Sequence, residues 1–283
     1  MSEPLREFPF TRHPARQGMV WLVKAWRMFN QHRLAWIVLL LAYYLLLLFT
    51  RAIPFIGPWA MTIIKPVLAV GLLAAAWNQE LGKTPALSQI LQGFRANLWA
   101  LLPIGLFFML GMTAAVFASS LVDGGKLIEF ITASADASEE DVAKALADPQ
   151  LQFGMMFSLL LSIPILVSTW WAPALIVFQD AGPGRALLAS LRAAFANWRP
   201  LLVYALGMFF YGVVLPGLVV SALRLLLPAA VGQVLVVALL LPYLAFFAAT
   251  LHIADYVSYR DVFHPDEKLV PPPSASSPPP PDA

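Results

Sequence analysis

The sequence has no cysteine, which excludes disulfides, thiolate metal sites, cysteine-held iron–sulfur clusters and a cysteine nucleophile, and leaves the redox compartment unmarked. Histidine is scarce: four residues leave little room for a metal site. Charge is scarce too, with Asp, Glu, Lys and Arg making up 12% of 283 residues against roughly 25% in an ordinary globular chain. The 18 basic and 16 acidic residues nearly cancel to +2 and sit mostly in gaps between apolar stretches, which disfavours nucleic-acid binding. Enzyme signatures are missing as well. There is no H-E-x-x-H, G-x-S-x-G, P-loop or G-x-G-x-x-G, and no nucleophile–base pair or carboxylate cluster can be assembled within the apolar stretches. The expectation is a non-enzymatic chain with no catalytic, cofactor-binding or metal residues.

What is abundant is apolar length, at 60% hydrophobic. A bilayer core about 30 Å thick needs about 20 helical residues to cross. Six stretches qualify, approximately Leu34 to Phe49, Ile53 to Trp77, Leu98 to Val122, Phe153 to Phe178, Leu201 to Leu223 and Ala229 to Leu251. None alternates with the two-residue period of a barrel strand, and backbone amides in lipid must be satisfied internally, so all six are expected to be α-helices. The first begins too late, and lacks the small-residue cleavage site, of a removable signal peptide. The fold class is therefore an all-α integral membrane protein.

Basic residues set the expected orientation. Thirteen of the 18 fall on one side: Arg6, Arg12, Arg16, Lys24, Arg27 and Arg33 before the first span, Lys83 and Arg95, then Arg185, Arg192 and Arg199, and finally Arg260 and Lys268. Arg51, Lys126, Lys144 and Arg224 fall on the other, with Lys65 inside a span. Both termini are expected in the cytoplasm. The domain organisation reads as a cytoplasmic segment 1–33, a six-span membrane domain 34–263 with an acidic external loop 123–150, and a Pro-rich tail 264–283 that has no apolar surface to bury and is expected to be disordered. Within the loop, Ser138 followed by Glu139, Glu140 and Asp141, with Pro149 beyond, predicts one short outer helix.

Each connection into an odd-numbered span carries an amphipathic stretch ending in Phe29, Phe94 or Phe195. The apolar face behind them is Leu22, Ala25, Trp26, then Leu87, Ile90, Leu91, then Leu188 and Leu191 with Arg192 as the departure. Pro66, Pro173 and Pro242 open related strings in the even spans. The pattern reads as three units, each an interfacial helix followed by two spans; chance recurrence in an apolar composition is the alternative. Lys24, Arg27, Arg185 and Arg192 beside the apolar stripes suit helices lying on an anionic leaflet, so the lipid bilayer is the first partner, with a membrane-protein partner or a homo-oligomer as further expectations.

Four polar residues are candidates for function: Lys65, His252, Asp255 and Tyr259. A span beginning at Ile53 puts Lys65 near the midplane; a loop from Ile53 to Pro58 puts it about 9 Å deep, from where it snorkels outward. His252, Asp255 and Tyr259 share a helical face at spacings of three and four, suited to binding a cation or relaying a proton, or else to a plain stop region with interfacial tyrosines. This topology does not favour a meeting of Asp255 with Lys65. Prolines and glycines in the spans allow kinked packing or gating.

The Trp-rich start from Gly18 to Phe29, the Ile53-Pro-Phe-Ile-Gly-Pro turn, Pro66 to Gly71, Gly93-Phe94 and the ending Tyr259 to Phe263 resemble an uncharacterised family of proteobacterial inner-membrane proteins, in the style of the YciC-like multi-span proteins. The resemblance implies a bacterial inner-membrane location and brings no catalytic residue. The leading expectation is structural, assembly or envelope-homeostasis work; the alternative is a small carrier or lipid-handling transporter that uses Lys65 and the proline-kinked helices.

Overall fold

The computed structural model describes residues 8–133 and 138–264. The Pro-rich tail, Arg6, Lys268 and Asp136 of the acidic loop lie outside the described residues. The described chain is helical throughout: α1 Gln17–Gln31, α2 Arg33–Arg51, α3 Gly57–Glu80, a 3₁₀ turn Leu87–Leu91 running into α4 Gln92–Arg95, α5 Leu98–Asp123, α6 Lys126–Ala133 and α7 Glu139–Leu146. Then follow α8 Pro149–Trp170, α9 Ala172–Gln179, α10 Pro183–Ala196, α11 Trp198–Phe209, a π turn Phe210–Val214, α12 Leu215–Leu226 and α13 Ala229–Phe263. Six of these stretches are long and apolar enough to cross a membrane: α2, α3, α5, α8 with α9, α11 with α12, and α13.

Several boundaries differ from the sequence reading for identifiable reasons. The second span starts at Gly57, because Pro54 and Pro58 confine helix growth and Phe55 takes a positive φ of 64° in the turn. The fourth breaks at Trp171, two residues before Pro173; its freed backbone N–H donates to Ser190 Oγ at 3.1 Å, and Ser190 Oγ donates to Val167 O at 2.7 Å. The fifth widens into the π turn just before Pro216. The sixth does not stop at Leu251 but continues to Phe263, so the polar stretch after Leu251 is helical and packed. In the loop between the third and fourth spans α7 forms with Ser138 as its cap, accepting from the Asp141 N–H at 3.2 Å, and α6 is an additional helix the sequence reading lacked.

Segments near the two ends of the described chain meet on one face of the bundle: the Thr11 N–H donates to Val262 O at 2.7 Å, and the His13 N–H to Asn197 Oδ1 at 2.8 Å. Toward this ends face lies one dense core built from Trp21, Phe29, Trp36, Tyr43, Leu68, Leu72, Leu101, Trp171, Tyr204, Tyr256 and Tyr259. Away from it the spans carry exposed apolar side chains such as Leu110, Phe117, Leu160, Leu218, Val234 and Leu241, suited to lipid. α12 has its extensive contacts with α13 and the adjoining π turn, so this far half of the last hairpin stands off from the other spans.

The three short connecting elements differ in form. α1 and α10 are regular helices, whereas the middle one is a 3₁₀ turn followed by a single α turn, its start fixed by Gln89 Oε1 accepting from the Ala86 N–H at 2.8 Å. Of the expected apolar faces, Leu22, Ala25 and Ile90 are buried, while Trp26, Leu87, Leu91 and Leu188 are exposed. α1 packs on α11 and α13, the middle turn with α4 packs on α3 and α2, and α10 packs on α8 and α9.

Candidate functional site

Lys65 lies eight residues into α3, about 12 Å along the helix from Gly57, with an exposed side chain. His252 and Asp255, one turn apart on α13, face each other at 3.9 Å from Nδ1 to Oδ2. The sixth span was expected to end at Leu251; α13 instead runs unbroken to Phe263 and packs on α2 and α3. Lys65 and Asp255 are not in direct ion-pair contact, no nitrogen-to-oxygen approach within 4.0 Å occurring between them. The side chains of His252 and Asp255 remain 20% and 39% exposed, so the group is not sealed into the core.

Aromatic residues surround it. The Tyr43 ring on α2 meets the His252 ring edge-on at 5.1 Å and the Tyr44 ring at 5.1 Å. The Tyr43 hydroxyl is buried and finds no hydrogen-bond partner among the described residues, as is the case for the Trp170 indole N–H, whose ring meets Tyr204 at 5.3 Å. A buried unsatisfied hydroxyl beside an ionisable group marks a place where a water or ligand polar atom completes the set.

Tyr259 shares the helical face of His252 and Asp255, one turn beyond Asp255 and two beyond His252 toward the ends face, where its hydroxyl accepts from Gln179 Nε2 at 3.1 Å and lies 2.9 Å from His264 Nε2, while its ring stacks on Phe178 at 5.6 Å. It is buried.

A second polar layer, whose Gln79 and Glu80 the sequence reading did not single out, lies at the ends face. Asp261 Oδ2 accepts from Gln17 Nε2 at 2.7 Å and Trp21 Nε1 at 2.8 Å, with His13 Nε2 at 3.7 Å. Gln79 ties three helices: its Oε1 accepts from Trp36 Nε1 at 2.7 Å, and its Nε2 donates to Met28 O at 2.7 Å and Gln31 Oε1 at 2.9 Å. Glu80 accepts from the Tyr256 hydroxyl at 2.5 Å and pairs with Arg260 at 3.5 Å. Between α1 and the ends of α3 and α13 lies an open cavity of about 400 Å³, lined in part by Lys24, Arg27, Glu80, Tyr256, Arg260 and Asp261. The available signal was a pair of amides and acids, Gln79-Glu80, at the end of an apolar span. Among the described residues no three His, Asp or Glu side chains gather to hold a metal ion.

No family model matches the chain, and no solved structure matches it at a significant level. Among curated proteins it is 26% identical over 261 residues to a probable inner membrane protein of Burkholderia thailandensis, an alignment covering 91% of this chain and 94% of that one. With its six apolar helices, the chain is a multi-pass protein of the bacterial inner-membrane kind, similar to a proteobacterial relative of unstated activity.

Proposed function

We propose that the chain is a small membrane carrier or lipid-handling protein whose working group is Lys65, His252 and Asp255. The observation that carries this reading is the His252–Asp255 pair on α13, 3.9 Å apart and part-exposed, with the Tyr43 ring against His252 and the buried Tyr43 hydroxyl lacking a partner among the described residues. An ion pair closed on itself would act as a structural tie. Lys65, exposed on α3, has no acid of the described residues within 4.0 Å, which leaves basic and acidic side chains to engage a polar solute or headgroup. A charged side chain at mid-bilayer costs about 2.5–3.5 kcal/mol on insertion scales, so a group that keeps three ionisable residues has a use for them. The kink at Trp171 and the π turn before Pro216 give the spans places to bend. A second reading, a scaffold for assembly or envelope homeostasis, draws on the dense ends-side core. We place both chain ends in the cytoplasm, a reading supported by the thirteen basic residues on their side.

The cysteine-free chain allows a direct test. Single cysteines replace Met61, Lys65 and Ala69 in turn, and proteoliposomes are exposed to a membrane-impermeant maleimide. Labelling that reaches position 69 is expected, because a polar solute path along α3 is wetted. Labelling that stops short of position 69 denies water to the group and returns the scaffold reading to first place.

A further inference from the structure

The helical wheel of α1 divides into three faces. Gly18, Trp21, Leu22, Ala25 and Phe29 are buried against α11 and α13. Met19, Val23 and Trp26, at spacings of four and three, form an exposed apolar stripe. Lys24 and Arg27 lie between these two faces and line the 400 Å³ cavity at the ends face. A volume of this size falls within the ordinary range of small-ligand sites.

The charge inside the cavity is not balanced by its two acids. The Asp261 carboxylate is already engaged by Gln17 and Trp21, and Glu80 by Tyr256 and Arg260. Lys24 and Arg27 are exposed and, among the described residues, neither has an acid within 4.0 Å. The cavity therefore offers two uncommitted cations, with the Arg260 guanidinium and the Tyr256 ring on the opposite wall, to whatever enters. Arg and Lys together match a phosphate oxyanion, the one by its planar fork and the other as a point charge. The adjoining apolar stripe of Met19, Val23 and Trp26 is what a helix at the membrane surface presents to acyl chains.

We propose that this cavity is a binding site for a phosphate ester carrying net negative charge, held by Lys24 and Arg27, with the headgroup of an anionic phospholipid as its occupant and a free phosphate ester as the other source of the same chemistry. The site is separate from Lys65, His252 and Asp255, and does not depend on the carrier reading.

The test uses the full chain, purified in mild detergent and stripped of lipid, with bound lipid counted by native mass spectrometry. Phosphatidylglycerol and zwitterionic phosphatidylcholine are titrated against the wild type, the double variant Lys24→Ala/Arg27→Ala, and Arg95→Ala, which removes an exposed cation of α4 outside the cavity. Both cavity positions are exposed, and an unchanged unfolding temperature confirms that the double variant is folded. Phosphatidylglycerol is expected to bind the wild type about tenfold more tightly than phosphatidylcholine, and the double variant to lose about tenfold while Arg95→Ala keeps wild-type affinity. Retention that survives excess glycerol phosphate assigns the site to the lipid headgroup; displacement by it assigns the site to a soluble phosphate ester, and both support the phosphate chemistry. Undiminished binding by the double variant, an equal loss in Arg95→Ala, equal affinity for phosphatidylcholine, or no retained phosphatidylglycerol overturns the proposal.

Discussion

Single atoms decide how closely these helices approach. A Cβ added at Gly93 would meet Val67 O at 1.9 Å, so α4 can lie on α3 only where its residue has no side chain, whereas a Cβ at Gly184 meets nothing within 4 Å. Gly93→Ala is expected to lower stability by about 1–3 kcal/mol through forced separation of the two elements. Gly184→Ala is expected to be neutral or slightly stabilising, since Ala is the better helix former. Unfolding temperatures of both variants in the same detergent check the contrast, and equal effects would refute it. Gln79 makes the same point with polar atoms. Gln79→Ala leaves the indole N–H of the fully buried Trp36 without its acceptor, an expected loss of about 1–3 kcal/mol. In a Trp36→Phe background the same substitution is expected to cost less, because no indole donor remains, and a double-mutant cycle on unfolding free energy measures the difference.

At the scale of elements, the acidic loop between the third and fourth spans shows what the sequence could and could not disclose. Ser138 with Asp141 three residues on is a local signal, complete within one turn, and α7 was legible from it. α6 was not, because its cap is Asp123, which the sequence counts as one more acid of a solvated loop. In the structure Asp123 is buried, accepting from the N–H groups of Gly125 at 2.7 Å and Leu127 at 3.1 Å, and Gly124 and Gly125 turn the chain at positive φ. The same asymmetry holds for the site. Lys65, His252 and Asp255 stood out as charges near apolar runs, but the surroundings of His252 and Asp255 depend on how far α13 continues, and hydropathy falls off at Leu251 although packing does not. Gln79 and Asn197 were passed over because their partners lie 43 to 186 residues away. One element-scale consequence concerns pH. Lys126 Nζ lies 2.5 Å from Asp148 Oδ2 and ties the start of α6 to the start of α8, and this bond, with the Gln150 N–H, holds the Asp148 carboxyl below its ordinary value. A depressed folded value means the tie is fully present above about pH 4 and is lost as pH falls through that lower value. Hydrogen exchange of the α6 amides, corrected for intrinsic rates, is expected to accelerate across that acid window in the wild type, and Lys126→Met to weaken the pH response, the remainder coming from the Asp123 carboxylate that accepts from the Leu127 N–H.

For the whole molecule, the six crossings were legible because a 30 Å apolar slab imposes its own length on the sequence, one span at a time. The order in which spans pack was not, because it is set by contacts between distant parts of the chain. α1 is the clearest case. It comes first in the chain, yet its buried face rests on α11 and α13, the last elements to be made: Gly18 lies against Pro200 O, Leu22 against Gly207, and Trp21 bonds Asp261. The core is therefore closed by joining the two ends of the chain. A consequence is that the chain can be cut in the middle and still assemble. Co-expressed fragments 1–181 and 182–283, divided in the short connection before α10, are expected to co-purify, since the second supplies the docking face for α1 and the first supplies α8 for α10. Gly18→Leu in the first fragment is expected to abolish much of that association, because any side chain there meets Pro200 O at 2.1 Å and lifts α1 from α11. Gly184→Leu in the second, where nothing lies within 4 Å, serves as the control and is expected to leave it intact. Co-purification that is indifferent to Gly18→Leu would mean that α8 with α10 holds the halves together and that α1 is an accessory to the core and does not close it.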